Sequence, residues 1–219
     1  MITDARTSML ACATLKDEIE AVIRLTKTQF KVRYLPVMHD RPDEMHSMIG
    51  RAVDEIKDAR YILLAYGYCG GGLEGIGSQT STLVIPKAHD CIDCLLPENH
   101  RNAQYRAGRY FLTRGWLRGE KNITRELKKL EQTLDEKRRA DYLKAVYGGY
   151  RSLTLIDDGA YSINQSLPLA EDAAEALDLP VERTKGSLST IEKLITGNWD
   201  DDFLIVSPGE RITREVIIR

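Results

Sequence analysis

No window of this 219-residue sequence reaches the roughly 18 consecutive apolar residues that a membrane-spanning helix needs, so no membrane partner is expected. An excess of positive charge is also missing. Lys and Arg number 31 against 33 Asp and Glu, a net charge of -2, which removes the global attraction to polyanions that nucleic-acid binding uses. A secretory leader is not evident either: MITDARTSMLACATLKDE carries acidic residues at once and only a short apolar patch. The cytoplasm is therefore the expected compartment. Cysteine is scarce, with Cys12, Cys69, Cys91 and Cys94 alone. In a reducing compartment such thiols are better suited to metal binding or catalysis than to disulfides. No Pro/Gly/Ser-rich linker divides the chain, so a single domain over 1–219 is expected, long enough to bury a core. Two lobes of similar rhythm, about 1–118 and 119–219, are the alternative.

What is present alternates between strand and helix patterns. Met9 to Thr14 reads as a strand and Leu15 to Lys27 as a helix; Lys31 to Pro36 is a second strand, and Asp40 or Pro42 opens a helix with Met45, Met48, Ile49, Val53 and Ile56 at helical spacing. Tyr61 to Tyr66 and Thr82 to Pro86 are the third and fourth strands, too close in sequence for more than one short helix between them. After Cys91 the spacing predicts a short helix stopped by Pro97 and then a second short one. Tyr110 to Thr113 is a fifth strand followed by a turn at Arg114–Trp116, and one long charged helix runs from Asn122 or Thr124 to Val146. Strands at Ser152–Ile156, Val181–Thr184 and Phe203–Val206 then alternate with helices at Leu169–Leu177 and Ser187–Ile195. This is the pattern of an α/β fold: a mainly parallel sheet with helices on both faces, as one domain or as two similar lobes around a cleft. The tail RITREVIIR is suited to pair at a sheet edge or to dock on a second copy in a homo-oligomer.

In open parallel sheets the ligand crevice lies at the carboxyl ends of the strands. Cys12, Cys69 and Cys91 all fall at such ends, so three thiols are expected to converge on one point. His89 and Cys91 are separated by one residue, and imidazole with thiolate suits zinc or iron. His89 is thus a candidate fourth ligand or general acid/base, and His39, after the second strand, is a weaker candidate for the same edge. Cys91 is placed to open a helix, whose dipole would favour thiolate, with Asp90 as its cap. Cys94 completes a C-x-x-C and would sit one turn inside, as a structural residue or a spare ligand. Gly70, Gly71 and Gly72 permit positive φ and let a ligand approach the backbone, although GYCGGGLEGIG lacks the Lys-Ser/Thr of a P-loop. Tyr110, Arg114 and Trp116, read as ending the fifth strand on the same edge, could line the pocket, with Arg114 able to hold a carboxylate or phosphate through its planar fork. Asp157, Asp158 and Tyr161 end the sixth strand, either as further lining or as a turn and helix cap.

The segments AYGYCGGGLEGI (Ala65 to Ile76), LVIPKAHDCIDCLL (Leu83 to Leu96), YFLTRGW (Tyr110 to Trp116) and LIDDGAY (Leu155 to Tyr161) together resemble the family of proteins of unknown function DUF1638 of anaerobic bacteria and methanogenic archaea. Cys94 and the Thr113-Arg114-Gly115-Trp116 turn depart from the family's pattern. The resemblance implies a setting near corrinoid-dependent methyltransferases, hence methyl or one-carbon metabolism, with a corrinoid protein or methyltransferase as partner. His89 and Cys91 are also similar to part of the zinc site of cobalamin:thiol methyltransferases. Two functions are therefore open. One is a metalloenzyme, a transferase or lyase, whose Cys12, Cys69 and Cys91, with or without His89, hold zinc or a [4Fe-4S] cluster with a position left for a small-molecule substrate. The other is a non-catalytic metal or cofactor carrier, or an accessory subunit of a corrinoid methyltransferase system.

Overall fold

A computed structural model describes residues 6–38, 40–119 and 122–214. These fall into two compact units. One comprises the described residues up to Leu95 and from Leu188 onward, and the other runs from Leu96 to Ser187. The division thus lies at 95/96 and 187/188, with the chain returning to the first unit at its end, and not near 118 between successive halves.

The first unit is built on five strands in the order β2-β1-β3-β4-β8: β1 Thr7–Cys12, β2 Lys31–Leu35, β3 Tyr61–Ala65, β4 Thr82–Pro86 and β8 Phe203–Val206. The first four are parallel and β8 closes the edge antiparallel. The centre consists of nearly unbroken apolar strands, MLAC, ILLA and LVIP, because a parallel strand covered on both faces has no wet side to alternate with. Lys31 and Arg33 on β2 and Ile205 on β8 are exposed, as befits edges. Leu10, Cys12, Ile62, Leu64, Leu83 and Ile85 share one face with Met45, Ile49, Ala52 and Val53 of α2 (Pro42–Asp54). Proline at the start of α2 supplies a pre-set φ where no N–H is needed. The intervening residues Met9, Leu63 and Val84 point to the opposite face, where α8 (Ser189–Thr196) lies on β3 and β4 and α1 (Lys16–Thr26) lies on α8. The segment after β8 joins the same unit. Ile212 exchanges backbone hydrogen bonds with Gly75 and Ile76 (2.8 Å each), so this part of the tail docks on its own unit; residues 215–219 lie outside the described residues.

The second unit has a parallel sheet, β5-β6-β7 (Arg109–Leu112, Ser152–Asp157, Val181–Lys185). Its helices are α3 Ala103–Arg106, α4 Arg114–Arg118, α5 Ile123–Thr133, α6 Glu136–Tyr147 and α7 Leu167–Leu177. The mixed α/β architecture with mostly parallel sheets and flanking helices is the one the sequence pattern implies. Two local expectations are corrected. The Arg114–Trp116 turn is the start of α4, because the Thr113 hydroxyl accepts the Trp116 N–H (3.1 Å) and caps a helix there. The long helix is two helices: Leu134 is extended (φ -119°, ψ 144°), and the Asp135 carboxylate accepts the Arg138 N–H (2.9 Å) as the cap of α6. The break turns the second apolar stripe, so that Tyr147 is buried and Val146 is exposed.

Leu64 is fully buried at the centre of the first sheet. Leu64→Ala should lower the stability of the first unit by about 2–5 kcal/mol, the lost transfer energy plus the cavity, measured by denaturant unfolding.

Candidate functional site

Parallel pairing decides what meets at the carboxyl edge of the first sheet. Ala11 is in register with Ala65, so the next residues, Cys12 and Tyr66, are lateral neighbours pointing to the same face. The order β2-β1-β3-β4 reverses direction between β1 and β3, and such a switch point is where strand-end loops part to form a crevice. Cys69 and Cys91 reach this crevice on the loops after β3 and β4.

Those two loops are fastened to each other. Tyr68 N–H donates to the Ala88 carbonyl (2.8 Å) and Cys69 N–H to the His89 carbonyl (2.9 Å). Gly67 lies against the neighbouring backbone: a Cβ there would stand 2.3 Å from the Asp90 Cα. Cys69, Gly70 and Gly71 then run through left-handed backbone (φ 46°, 71° and 102°). For Cys69 this is a strained conformation, which the surrounding hydrogen bonds must hold. Gly72 has a different role, since the space of its missing side chain is filled by Met45 of α2 and the residue is buried.

The thiols of Cys12 and Cys91 interact with each other, and so do those of Cys91 and Cys69. Cys12 and Cys69 are buried, Cys91 is half-buried, and all are free thiols. Thr14, in the 3-10 turn that follows β1, donates its hydroxyl to the Cys12 sulfur (3.1 Å). The interaction with Cys91, followed by burial, pushes the Cys12 thiol well above its ordinary value. For Cys91 the largest influence, its hydrogen bond with Cys12, lowers the value, but the interaction with Cys69, burial and the nearby Cys69 and Cys94 sulfurs together raise it. The helix dipole expected to favour thiolate at Cys91 is absent, because 91–95 is a turn and not a helix. Asp90 does cap that turn, its carboxylate accepting the Asp93 N–H (3.1 Å).

His89 is exposed, and its backbone ties it to the cluster: its carbonyl accepts from Cys69 and its N–H donates to the Asp93 carboxylate (2.9 Å). Cys94 is fully buried and donates its thiol to the Asp90 carbonyl (3.8 Å). His39 lies outside the described residues. Among the described residues, no three His, Cys, Asp or Glu side chains stand in an arrangement that already holds a metal ion. A metal would have to draw Cys12 and Cys69, each of which meets Cys91, onto one centre.

Tyr110, Arg114 and Trp116 do not end on the cysteine edge. They belong to β5 and α4 of the second unit, whose sheet is separate, because β5 pairs with β6 and not with β1–β4. There Arg114 lies over the Tyr161 ring (4.5 Å to its centroid), donates its guanidinium to Gln165 (2.9 Å) and donates its backbone N–H to the Tyr161 hydroxyl (2.9 Å). Tyr110 packs among Tyr147 and Tyr150. Asp158 accepts the Ala160 N–H (2.9 Å), the turn reading of that segment.

Two residues of the cysteine edge escaped the sequence reading. Thr14 was counted as the end of a strand that in fact stops at Cys12. Tyr66 is 1 % exposed, and its hydroxyl has no hydrogen-bond partner among the described residues. Its acidity is suppressed first by burial and then by Cys12, Cys91 and Cys69, the three thiols of the crevice. A buried hydroxyl without a partner costs about 1–3 kcal/mol. The period-two run Ile62, Leu64, Tyr66 was the signal: a phenol ending an otherwise aliphatic core face.

The fold and this edge define an α/β protein with a thiol cluster at the switch point of its larger, mainly parallel sheet. The chain belongs to the family described as "Protein of unknown function (DUF1638)", whose model matches residues 36–195. Cys69, His89 and Cys91 lie within the matched span, and Cys12 precedes it. No curated protein and no solved structure matches the chain.

Two outcomes test the site. Gly67→Ala should force the paired loops apart and cost about 1–3 kcal/mol, as overpacking does, measured by denaturant unfolding. Cys12 and Cys91 should alkylate slowly with iodoacetamide at pH 8, with rates rising only above the ordinary thiol value of 9.0, followed by mass spectrometry. The same sign governs stability. A thiol whose folded value is raised stabilises the fold fully below the unfolded value, and that contribution is lost as pH rises through the folded value.

Proposed function

We propose that the protein is a thiolate-ligated metalloprotein, with Cys12, Cys69 and Cys91 as ligands of one zinc ion and an open position for a small molecule. The observation that supports this is that the Cys91 thiol meets the thiol of Cys12 and that of Cys69, each from a different strand end. Buried thiols without a cation stay protonated. A bound metal deprotonates them outright and supplies the charge that makes three thiolates tolerable together. Zn–S bonds of about 2.3 Å need sulfurs roughly 4 Å apart, so Cys12 and Cys69, each of which meets Cys91, would have to close onto one zinc ion. Three protein ligands with a vacant fourth position are the pattern of catalytic zinc, and such a centre holds a thiol as reactive thiolate. Methyl or one-carbon metabolism is the setting proposed, with a methylated corrinoid delivered by a partner protein. His89 would act from outside the thiol set, at the mouth of the crevice.

Anaerobically purified protein should contain about one zinc per chain by elemental analysis, without acid-labile sulfide. Cys91→Ser should abolish that metal, while Cys94→Ser, which removes a thiol bonded to a backbone carbonyl, should leave it largely intact. Equal losses would assign binding to the C-x-x-C pair. Iron with sulfide would assign a cluster, and metal that passes to a partner without turnover would assign a carrier. Metal-free protein of unaltered stability would overturn the reading.

A further inference from the structure

The C-x-x-C of Cys91 and Cys94 is the pair that sequence alone would choose for thiol–disulfide exchange. The structure divides that pair. Cys94 is fully buried with its thiol on the Asp90 carbonyl (3.8 Å), whereas Cys91 is half-buried and packs against the core cluster that holds Cys12 and Cys69. Its thiol meets the thiols of those two.

Backbone geometry decides between the two partners. A disulfide brings sulfurs to about 2.05 Å, well inside non-bonded contact, and needs Cα atoms roughly 4.4–6.8 Å apart, so one backbone must adjust. Cys12 ends a strand laddered on both sides: it is in register with Leu35 of β2, and Ala11 before it with Ala65 of β3. Its sulfur also accepts the Thr14 hydroxyl (3.1 Å). Cys69 lies in a loop, among Gly67, Gly70 and Gly71, with left-handed backbone at 69, 70 and 71 (φ 46°, 71° and 102°). That loop already rests on the one that carries Cys91. Tyr68 N–H donates to the Ala88 carbonyl (2.8 Å) and Cys69 N–H to the His89 carbonyl (2.9 Å), and a Cβ on Gly67 would stand 2.3 Å from the Asp90 Cα. Chains in such contact lie within the span of a disulfide, and the glycines supply the adjustment that a strand cannot.

We propose that Cys69 and Cys91 form a reversible disulfide by exchange with a small disulfide such as glutathione disulfide, with Cys91 as the thiol that meets it. Cys12 and Cys69 are buried and Cys91 is half-buried, so the small disulfide reaches Cys91 first. Cys91 gives up its proton and its sulfur attacks one sulfur of glutathione disulfide; a mixed disulfide forms, and the first glutathione leaves with that proton. The Cys69 sulfur, losing its own proton, then attacks the Cys91 sulfur and breaks its bond to glutathione, which leaves as the second thiol. Two protein thiols are oxidised and one small disulfide is reduced to two thiols. Cys12 stays a thiol, and the new bond links the loops that leave β3 and β4. No metal takes part, so the inference does not rest on the metal reading given above.

The test uses the full chain, stripped of metal with a chelator and equilibrated anaerobically in buffers of rising ratio of glutathione disulfide to glutathione, then acid-quenched, alkylated and digested with trypsin. Cleavage after Lys16 and Lys87 puts Cys12, Cys69 and Cys91 in three different peptides, with Cys94 beside Cys91. Mass spectrometry with fragmentation should find Cys69 linked to Cys91, the link saturating with the ratio, returning to free thiols in dithiothreitol and persisting in Cys94→Ser. Cys69→Ser should instead accumulate glutathione on Cys91, roughly tenfold above the wild type, because the second exchange step is lost. A Cys91–Cys94 or Cys12–Cys91 disulfide would overturn the inference. So would glutathione retained on Cys91 in the wild type, a link that disappears in Cys94→Ser, or thiols still reduced in the most oxidising buffer. The wild-type linkage decides the matter even where a variant misfolds, and the zinc content before stripping tests the metal reading separately.

Discussion

Two backbone hydrogen bonds, from Tyr68 to Ala88 and from Cys69 to His89, join the loops that leave the third and fourth strands. Backbone bonds of this kind ignore side-chain identity, so they fix geometry without committing any functional group. They set Cys69 opposite Cys91, while the strand register sets Cys12 beside Tyr66. The contact also explains the glycine at 67, where any side chain would occupy the Asp90 backbone. The strain at Cys69 is tolerable only under such restraint. The glycine-rich loop is held at its far end too, by the C-terminal segment through Ile212. The site thus depends on the end of the chain as well as on its first half.

The electrostatics of the edge follow from the same packing. Burying Cys12 and Cys91 side by side weakens both as acids, because each thiolate would face low dielectric and neighbouring sulfur. Thr14 alone works the other way on Cys12, through its hydroxyl and its backbone. In the second unit the Glu126 carboxylate accepts from the Tyr142 and Tyr147 hydroxyls (2.7 Å each), which holds α6 to α5; this bond suppresses the acidity of Tyr142, and burial first and then this bond suppress that of Tyr147.

The sequence by itself determined most of the secondary structure. Apolar runs at the strands and helical spacing in α2 are local signals, and the strand at Thr82–Pro86 coincides with its expectation residue for residue. The carboxyl-edge position of Cys12, Cys69 and Cys91 was legible too, because strand ends can be read from where apolar runs stop. The helix at Cys91 was misread because Asp90 caps a turn with the same residue that would cap a helix. The long helix was misread because Leu134 fits an apolar stripe, and the competing cap at Asp135 carries no periodicity of its own.

Only the tertiary structure decided which strands share a sheet. β5 resembles β3 in pattern, yet it pairs with β6, and this removed Tyr110, Arg114 and Trp116 from the cysteine edge. Pairing partners are not written in a strand's own residues, since backbone hydrogen bonds are the same for all of them; the choice falls to packing among elements far apart in sequence. For the same reason the period-two run Ile62, Leu64, Tyr66 marks a phenol on a core face without saying what lies beside it. Only the parallel register of β1 and β3 sets that phenol beside Cys12 on one buried face.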